Sequence, residues 1–333
     1  MATPQAHPAR ARDLGLYPAT GRTGDHNAIT DVPGVRVGHT TIIRAPRIRT
    51  GVSAIRFGDE VSPGRALPAG LSVGNGFGKL IGATQLAELG HLETPIVLTS
   101  TLSAFRAADA LLSWVLDQPG NERVRTLNPV VGECNDSVLS DIRARPVRPE
   151  HVLAALDEAD RGAVPEGSVG AGTGLVALGF KAGIGTASRM IEVDDDEHTL
   201  GVLVQANFAG VLRVHGRQVR PPTPSAPQPD LGSCMVVLAT SAPLDGRQLS
   251  RLAARAVFAL GRLGGAYTHG SGDYAIAVST SAGRLPPPDR ALSPVFEAGL
   301  DATEEAVLNA LVAADPVTGP GGRVVPALRD ALG

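Results

Sequence analysis

Two kinds of apolar periodicity alternate along this chain. NAITDVPGVRVGHTTII and TGVSAIRFG alternate apolar with polar residues and are bounded by Gly or Pro, which predicts half-buried antiparallel strands. GKLIGATQLAELG, SAFRAADALLSWVLDQPG and PEHVLAALDEADRG instead carry apolar residues at helical spacing. The first half of the chain is therefore expected to combine a sheet with helices.

The last hundred residues have the order strand, helix, strand, helix. SCMVVLAT is an apolar run suited to a buried strand, and Asp245 can cap the helix that follows, whose apolar residues form one stripe. YAIAVSTS predicts the next strand, and EAGLDATEEAVLNALVAAD predicts a closing amphipathic helix. This alternation indicates an α/β fold.

Glycine and proline are concentrated in two segments between these elements. Residues 167–190 are rich in glycine, but they lack the spacing of a P-loop or a G-x-G-x-x-G turn, so we interpret these glycines as sites of close backbone packing. The acidic run Asp194 to Glu197 then predicts an exposed hairpin tip. Five prolines between Pro221 and Pro229 predict a surface loop that would tolerate a chain break.

The composition excludes several classes of function. A net charge of -3 and an aromatic content of 3% argue against nucleic acid as a partner. The chain has no apolar stretch near the roughly 20 residues of a membrane span, and no signal peptide is apparent. The only cysteines, Cys134 and Cys234, are expected to be reduced. We therefore expect a cytoplasmic protein that does not bind a membrane.

Common catalytic motifs are missing from this sequence. The eight histidines form no H-x-x-H or H-E-x-x-H pair, so no metal and no cofactor are predicted. Ser271 lies in HGSGD and not in the G-x-S-x-G elbow of α/β-hydrolases. What remains is the pair Gly232-Ser233, where the proline-rich loop meets a buried strand. A Gly there allows a strained backbone, although most such pairs are simple turns.

Many sequence blocks together carry a more specific signal. They include NAITDVPGVRVGHTTI, VGNGFGKL, VVGECND, EGSVGAGTG, KAGIGTASR, GVLVQANF, GSCMVVLATSAPL and HGSGD. In these blocks and in their order, nearly end to end, the chain resembles the L-aminopeptidase/D-amidase-esterases of the DmpA type, which include the β-aminopeptidases. The resemblance implies an α/β fold with four αββα layers, of the N-terminal-nucleophile-like kind shared with ornithine acetyltransferases.

The resemblance also implies that the chain cuts itself. Members of this family break before a Ser or Thr, and Gly232-Ser233 is the matching pair. The 1–333 domain would become fragments 1–232 and 233–333, with Ser233 as the nucleophile of an aminopeptidase and amidase-esterase that uses no cofactor. Cys234 is not expected to replace it, because the next residue of a strand points to the opposite face.

Four further residues match functional positions of the family. Ser271 and Asp273, which lie on the same side of an extended segment, would orient Ser233 and relay its proton, although the new amine of Ser233 could also accept it. Asn207 matches an oxyanion-hole amide. Glu133 matches a carboxylate that receives the substrate's amino group, the alternative being a surface charge at a strand end.

Some positions depart from the family pattern, and other functions stay open. Val138 stands where many relatives have a tyrosine, and Ser100 and Ser241 replace Asn and Asp. The expected substrates are short peptides, amides or esters, including D- or β-amino acid derivatives, and the expected assembly is a homo-oligomer, often a tetramer. The alternatives are an acyltransferase of the ornithine acetyltransferase type and a non-enzymatic binder of small molecules or nucleotides.

Overall fold

The computed structural model describes residues 9–18, 21–58, 62–222 and 232–332. The helices in this part of the chain are α1 (Ala83–Glu88), α2 (Ala104–Leu116), α3 (Pro149–Asp157), α4 (Gly246–Arg262) and α5 (Ser293–Val312). The strands are β1 (Val35–Arg44), β2 (Ile48–Phe57), β3 (Leu67–Gly76), β4 (His91–Leu92), β5 (Ile96–Ser100), β6 (Val130–Cys134), β7 (Val176–Ala177), β8 (Phe180–Lys181), β9 (Ile184–Val193), β10 (Asp196–Asn207), β11 (Arg213–Val214), β12 (Arg217–Gln218), β13 (Ser233–Thr240), β14 (Gly272–Ser279), β15 (Val317–Thr318) and β16 (Val324–Val325).

Most of these strands belong to two sheets. A four-stranded sheet has the order β1-β2-β5-β6, in which β5 and β6 are parallel. A six-stranded sheet has the order β4-β3-β14-β13-β10-β9, in which β13 and β14 are parallel and the other pairs are antiparallel. The parallel pair β13 and β14 is possible because α4 connects the two strands as a crossover.

The two sheets pack face to face, with helices outside each. α2 and α3 share an apolar cluster with the outer face of the four-stranded sheet. α4 and α5 share another with the outer face of the six-stranded sheet. A third cluster lies between the sheets and joins residues such as Ile55 and Leu98 to Met235 and Val237. The predicted four-layer αββα order is confirmed.

The position of β13 in the fold accounts for its apolar sequence. Cys234, Val236 and Leu238 point to the helices, whereas Met235 and Val237 point to the other sheet. All eight residues of β13 are buried, because the strand has a covered layer on each face and a neighbouring strand on each side. A strand covered in this way has no polar face, so its sequence is a continuous apolar run.

Helix α4 begins as the sequence predicts. The Asp245 side chain accepts a hydrogen bond from the backbone N–H of Gln248 at 2.7 Å, and the apolar stripe of the helix is buried. The acidic run also lies where it was predicted, because Asp194 and Asp195 form the turn between β9 and β10 with positive φ angles. The proline-rich loop cannot be compared in full, because residues 223–231 lie outside the described residues.

The last helix differs from the prediction. α5 is not amphipathic along its whole length, since every residue from Glu305 to Val312 is buried. β9, β10 and α4 all pack against this helix, and Arg12 of the N-terminal segment binds Glu305. It is also not the closing element, because β15 and β16 follow it. Among the described residues, no helix combines the length and the apolar character needed to span a membrane.

Candidate active site

One end of the six-stranded sheet brings together the predicted residues of the candidate site. β13 begins at Ser233, whose register partners are Asn207 at the end of β10 and Gly272 at the start of β14. Gly272 in turn pairs with Gly76 at the end of β3. Four strand ends therefore meet at Ser233, although they come from distant parts of the sequence.

The Ser233 hydroxyl lies against the peptide bond that precedes it. Ser233 Oγ donates a hydrogen bond to the carbonyl oxygen of Gly232 at 2.6 Å. A Cβ atom at Gly232 would come within 3.2 Å of Ser271 Oγ and within 3.3 Å of the Asn207 carbonyl oxygen. The absence of a side chain at Gly232 thus lets these groups approach the Gly232-Ser233 peptide closely.

Ser271 and Asp273 form a buried pair beside this peptide. Ser271 Oγ donates to Asp273 Oδ1 at 2.9 Å, as the spacing of the two residues predicted. Asp273 Oδ2 is buried and has no hydrogen-bond partner among the described residues. Burial raises the pKa of Asp273 to about 6, and the hydrogen bonds from Ser271 and the Cys234 backbone reduce that rise. The carboxyl group can therefore take up a proton near neutral pH.

The Asn207 amide is held in one orientation by the backbone. Its Oδ1 accepts from the N–H of Val176 at 3.1 Å, and its Nδ2 donates to the carbonyl oxygen of Asn135 at 3.0 Å. Because a backbone N–H can only donate and a carbonyl can only accept, these two contacts identify the oxygen and the nitrogen of the amide. The second Nδ2 hydrogen remains a possible donor to a reacting group.

Glu133 lies in β6 of the other sheet and is joined to the candidate site through the loop that holds Lys79. Its neighbour Cys134 is the β6 residue that faces Ser233, with Sγ 3.2 Å from the Ser233 carbonyl oxygen, so the Glu133 side chain points to the opposite face of the strand. The backbone N–H of Lys79 donates to Glu133 Oε1 at 2.9 Å, and Lys79 Nζ lies 3.7 Å from the same oxygen. Glu133 is only 2% exposed, so the alternative of a surface charge at a strand end is wrong.

The five candidate side chains are all nearly closed to water. Their exposed fractions are 3% for Ser233, 4% for Asn207, 1% for Ser271, and 2% for Asp273 and Glu133. The Cys234 side chain is also buried, but it belongs to the cluster under α4 and α5 on the opposite face of β13. Burial raises the pKa of its thiol well above the ordinary range. The structure therefore gives Cys234 a packing position.

Sequence reasoning missed two polar residues around Glu133. Lys79 is one of them, although it lies in the block VGNGFGKL that carried part of the resemblance. The other is Asp136, which accepts from Ser100 Oγ at 2.9 Å; burial raises the pKa of Asp136 to about 6. The departure at Ser100 is therefore close to the site. Ser241, by contrast, lies beyond the far end of β13, roughly 26 Å along the strand from Ser233 at the usual rise per residue.

No metal centre is found in the part of the chain that the structure describes. No group of three or more His, Cys, Asp and Glu side chains there is arranged to hold an ion. The candidate residues themselves supply a hydroxyl nucleophile, a carboxyl-serine pair for protons and an amide for a developing oxyanion, which suits acyl transfer to the hydroxyl.

Known proteins are similar to this chain in sequence and in fold. The model of peptidase family S58 matches residues 27–325. The β-peptidyl aminopeptidase BapA of Sphingosinicella microcystinivorans is 39% identical over 96% of this chain and 89% of its own length. These matches confirm the expected aminopeptidase and amidase function, which acts on small peptides or amides, and they do not favour the acyltransferase alternative.

Solved structures agree. The β-aminopeptidase of a Burkholderia species has a TM-score of 0.89 and 39% identity, over 97% of this chain and 98% of its own. The L-aminopeptidase D-Ala-esterase/amidase of Ochrobactrum anthropi, described as a variant of the Ntn hydrolase fold, has a TM-score of 0.86 and 39% identity, over 96% and 95%. The N-terminal-nucleophile-like fold is confirmed, and the chain belongs to peptidase family S58.

Proposed function

We propose that this peptidase cuts itself between Gly232 and Ser233, and that Ser233 then serves as the nucleophile toward substrates. The observation that carries the proposal is the 2.6 Å contact between Ser233 Oγ and the carbonyl oxygen of Gly232, beside the Ser271-Asp273 pair. A hydroxyl next to its own upstream carbonyl needs little rearrangement to attack it.

The cut proceeds in two steps. In the first, Ser233 Oγ attacks the carbonyl carbon of Gly232 while its proton leaves toward Ser271 and Asp273. The second Nδ2 hydrogen of Asn207 is the donor that we assign to the tetrahedral oxyanion. The C–N bond then breaks, the nitrogen of Ser233 takes up a proton, and an ester remains. In the second step water hydrolyses this ester, which leaves a carboxylate on Gly232 and a free amine on Ser233.

The same groups then act on a substrate. Ser233 Oγ attacks the amide or ester carbonyl, the leaving amine or alcohol takes a proton, and water releases the acyl-enzyme. Two proton acceptors are available for the attack. One is the new amine, whose unperturbed pKa is about 7.7 to 8.0. The other is Asp273, whose pKa burial raises to about 6.

Cleavage also accounts for access to a closed site. Since Ser233 is only 3% exposed, a substrate carbonyl can reach it only after the Gly232 end has moved away. The fragments 1–232 and 233–333 stay together in this proposal. β13 pairs with β10 and β14 pairs with β3, so separation would break two strand pairs and expose the buried core.

The substrates are proposed to carry a free amino group. Glu133 is a buried carboxylate bound by the backbone N–H of Lys79, whose loop packs on the Ser271-Asp273 segment, and an ion pair with the substrate's ammonium would select the N-terminal residue of a short peptide, amide or ester. Two similar proteins are named as β-peptidyl aminopeptidase and β-aminopeptidase, which favours β-amino acid residues at that position. D-amino acid amides and esters are the second class, as in the name of the Ochrobactrum enzyme.

Two further properties are part of the proposal. The reduced state of the buried Cys134 and Cys234 favours a cytoplasmic location. Exposed apolar side chains such as Phe105, Phe258 and Leu285 favour a homo-oligomer of cleaved pairs, with a tetramer expected. Light scattering of the purified protein measures that assembly.

Intact-mass measurement of wild type and Ser233→Ala tests the cleavage. We expect wild type to give two masses, those of fragments 1–232 and 233–333. Ser233→Ala should give the mass of one uncut chain, with amidase activity lower by about 10⁴-fold or more. Ser241→Ala is the matched control, because it removes a serine hydroxyl beyond the other end of the same strand. It should be cut and active like wild type.

A single full-length wild-type mass in active protein would contradict the proposal, and so would full activity of Ser233→Ala. A full-length chain without any activity would instead support the non-enzymatic alternative.

A further inference from the structure

The two carboxylate oxygens of Glu133 have unequal surroundings. Oε1 accepts the backbone N–H of Lys79 at 2.9 Å and lies 3.7 Å from Lys79 Nζ. Oε2 is buried and has no hydrogen-bond partner in the described part of the chain. One residue thus supplies both the donor that orients the carboxylate and a cation beside it, while the second oxygen is left for another donor.

Lys79 is held at the edge of the candidate site by its loop. Phe77 N–H donates to the carbonyl oxygen of Ser271 at 3.1 Å, and a Cβ at Gly272 would lie 2.8 Å from the Cα of Gly78, so this loop packs directly on the Ser271-Asp273 segment. The Lys79 side chain is 41% exposed, and its Nζ donates to Thr101 Oγ1 at 3.0 Å. The ammonium group is therefore tethered between the buried carboxylate and the solvent.

We propose that the Lys79 ammonium competes with the substrate's ammonium for Glu133, and so makes Lys79 a residue that sets the affinity for amine-bearing substrates. The inference rests on the proposed function, since it requires Glu133 to bind the substrate's amino group. In the free enzyme Lys79 neutralises Glu133. When a substrate ammonium arrives, two cations share one carboxylate, and their mutual repulsion weakens substrate binding.

The direction of the effect follows from this arrangement. A neutral residue at position 79 keeps the backbone N–H that orients Glu133, but removes the competing charge, so amine-bearing substrates should bind more tightly. The size is limited because Lys79 Nζ is partly solvated, and partly exposed pairs contribute little. We expect KM to fall about three- to fivefold with kcat nearly unchanged, since the charge acts on binding and not on the reacting bond.

The experiment uses the cleaved enzyme and a matched pair of substrates. One is a β-alanyl p-nitroanilide, and the other is the propionyl p-nitroanilide of the same length without the amino group. Wild type, Lys79→Met, Lys79→Gln and Lys79→Arg are compared, each checked for complete cleavage by intact mass and for unchanged thermal unfolding. The two neutral variants guard against a packing effect of one side chain, and Lys79→Arg keeps the charge.

The expected result is a lower KM for the amine substrate in both neutral variants, a wild-type KM in Lys79→Arg, and no change in kcat/KM for the propionyl compound. An unchanged or higher KM for the amine substrate in both neutral variants would overturn the inference, as would an equal gain for both substrates. Failure of the proposed function is recognised separately, by turnover in wild type that does not depend on Ser233 or by an uncut wild-type chain.

Discussion

Two buried carboxylates of this protein lie in opposite kinds of surroundings. Glu305 of α5 is fully buried where the N-terminal segment meets β9, and it accepts hydrogen bonds from Arg12 at 2.7 and 2.8 Å and from Asn27 at 2.6 Å, with Arg189 Nη2 at 2.7 Å. Asp273 in the candidate site has the Ser271 hydroxyl and an unpaired second oxygen. Both are nearly inaccessible to water, yet only the first is paired with cations.

The pKa values of the two groups differ accordingly. Burial raises the pKa of Glu305, but the hydrogen bond from Arg12 and the charge of Arg189 outweigh burial and hold it below its usual range. Burial raises the pKa of Asp273 to about 6 because no cation opposes it. The paired carboxylate holds the layers together, whereas the unpaired one can exchange a proton near neutral pH. A buried carboxylate without a cationic partner is thus a better indicator of a functional site than a buried carboxylate in an ion pair.

Of the changes that separate the two carboxylates, Asp273→Asn is expected to have the largest effect, because it removes the unpaired carboxylate of the candidate site. We expect kcat/KM to fall by about 10² to 10⁴-fold, since the amide cannot take up a proton from the nucleophile. The free energy of unfolding should not decrease, because a buried unpaired charge is lost. Kinetics on an amino acid p-nitroanilide and urea unfolding at pH 8 measure the two quantities. Near-normal activity in this variant would mean that the new amine of Ser233 accepts the proton without Asp273.

Glu305→Gln is expected to lower stability and leave activity nearly unchanged, the opposite of Asp273→Asn. It removes the buried negative charge that Arg12 and Arg189 both bind, and the Arg189 side chain is only 4% exposed, so the free energy of unfolding should fall by about 3 to 5 kcal/mol. The folded variant should keep its kcat/KM within about twofold, because the cluster does not contact the candidate site. Asp289→Asn is the control: it removes an exposed carboxylate that binds Arg247 and Arg251 and keeps an oxygen that can accept from Gln248, so it should change stability little. A stable Glu305→Gln protein would contradict this comparison.

The smallest effect concerns the pH dependence of stability. The pKa of Asp273 is raised from about 3.9 to about 6 on folding, so the native state binds this proton more tightly and stability falls as pH rises between these values, by about 3 kcal/mol. Asp273→Asn should therefore gain relative to wild type at pH 8 and lose this gain near pH 4. For Glu305, whose pKa is lowered, the stabilisation is present above about pH 4.5 and is lost as pH falls through the folded pKa.

Urea unfolding of wild type and both variants at several pH values checks the two signs. The difference in free energy of unfolding between Asp273→Asn and wild type should rise with pH, and that between Glu305→Gln and wild type should fall. If both changed in the same direction, the contrast between the paired and the unpaired carboxylate would be wrong.

Much of the fold could be predicted from local patterns. β1, β2, β13 and β14 were recognised because alternation or a continuous apolar run reports which faces of a strand are covered. The burial of α5 was not predicted, because Glu305 and Asn309 give the sequence of this helix a polar face. Those side chains are buried because Arg12, Arg189 and Asn27 bind one and the backbone of Thr186 accepts from the other, and these partners are distant in the chain.

The candidate site divides in the same way. Gly232, Ser233, Asn207, Ser271, Asp273 and Glu133 could be named in advance because they lie in short blocks that resemble a known family. The convergence of these residues, the burial of the site and the contact between Lys79 and Glu133 could not be predicted. They depend on the register of β10, β13 and β14 and on the packing of one sheet against the other. Sequence by itself determined which residues carry reactive groups and which faces are apolar. The tertiary structure decided which of those groups are paired, since pairing depends on distances between segments that only folding brings together.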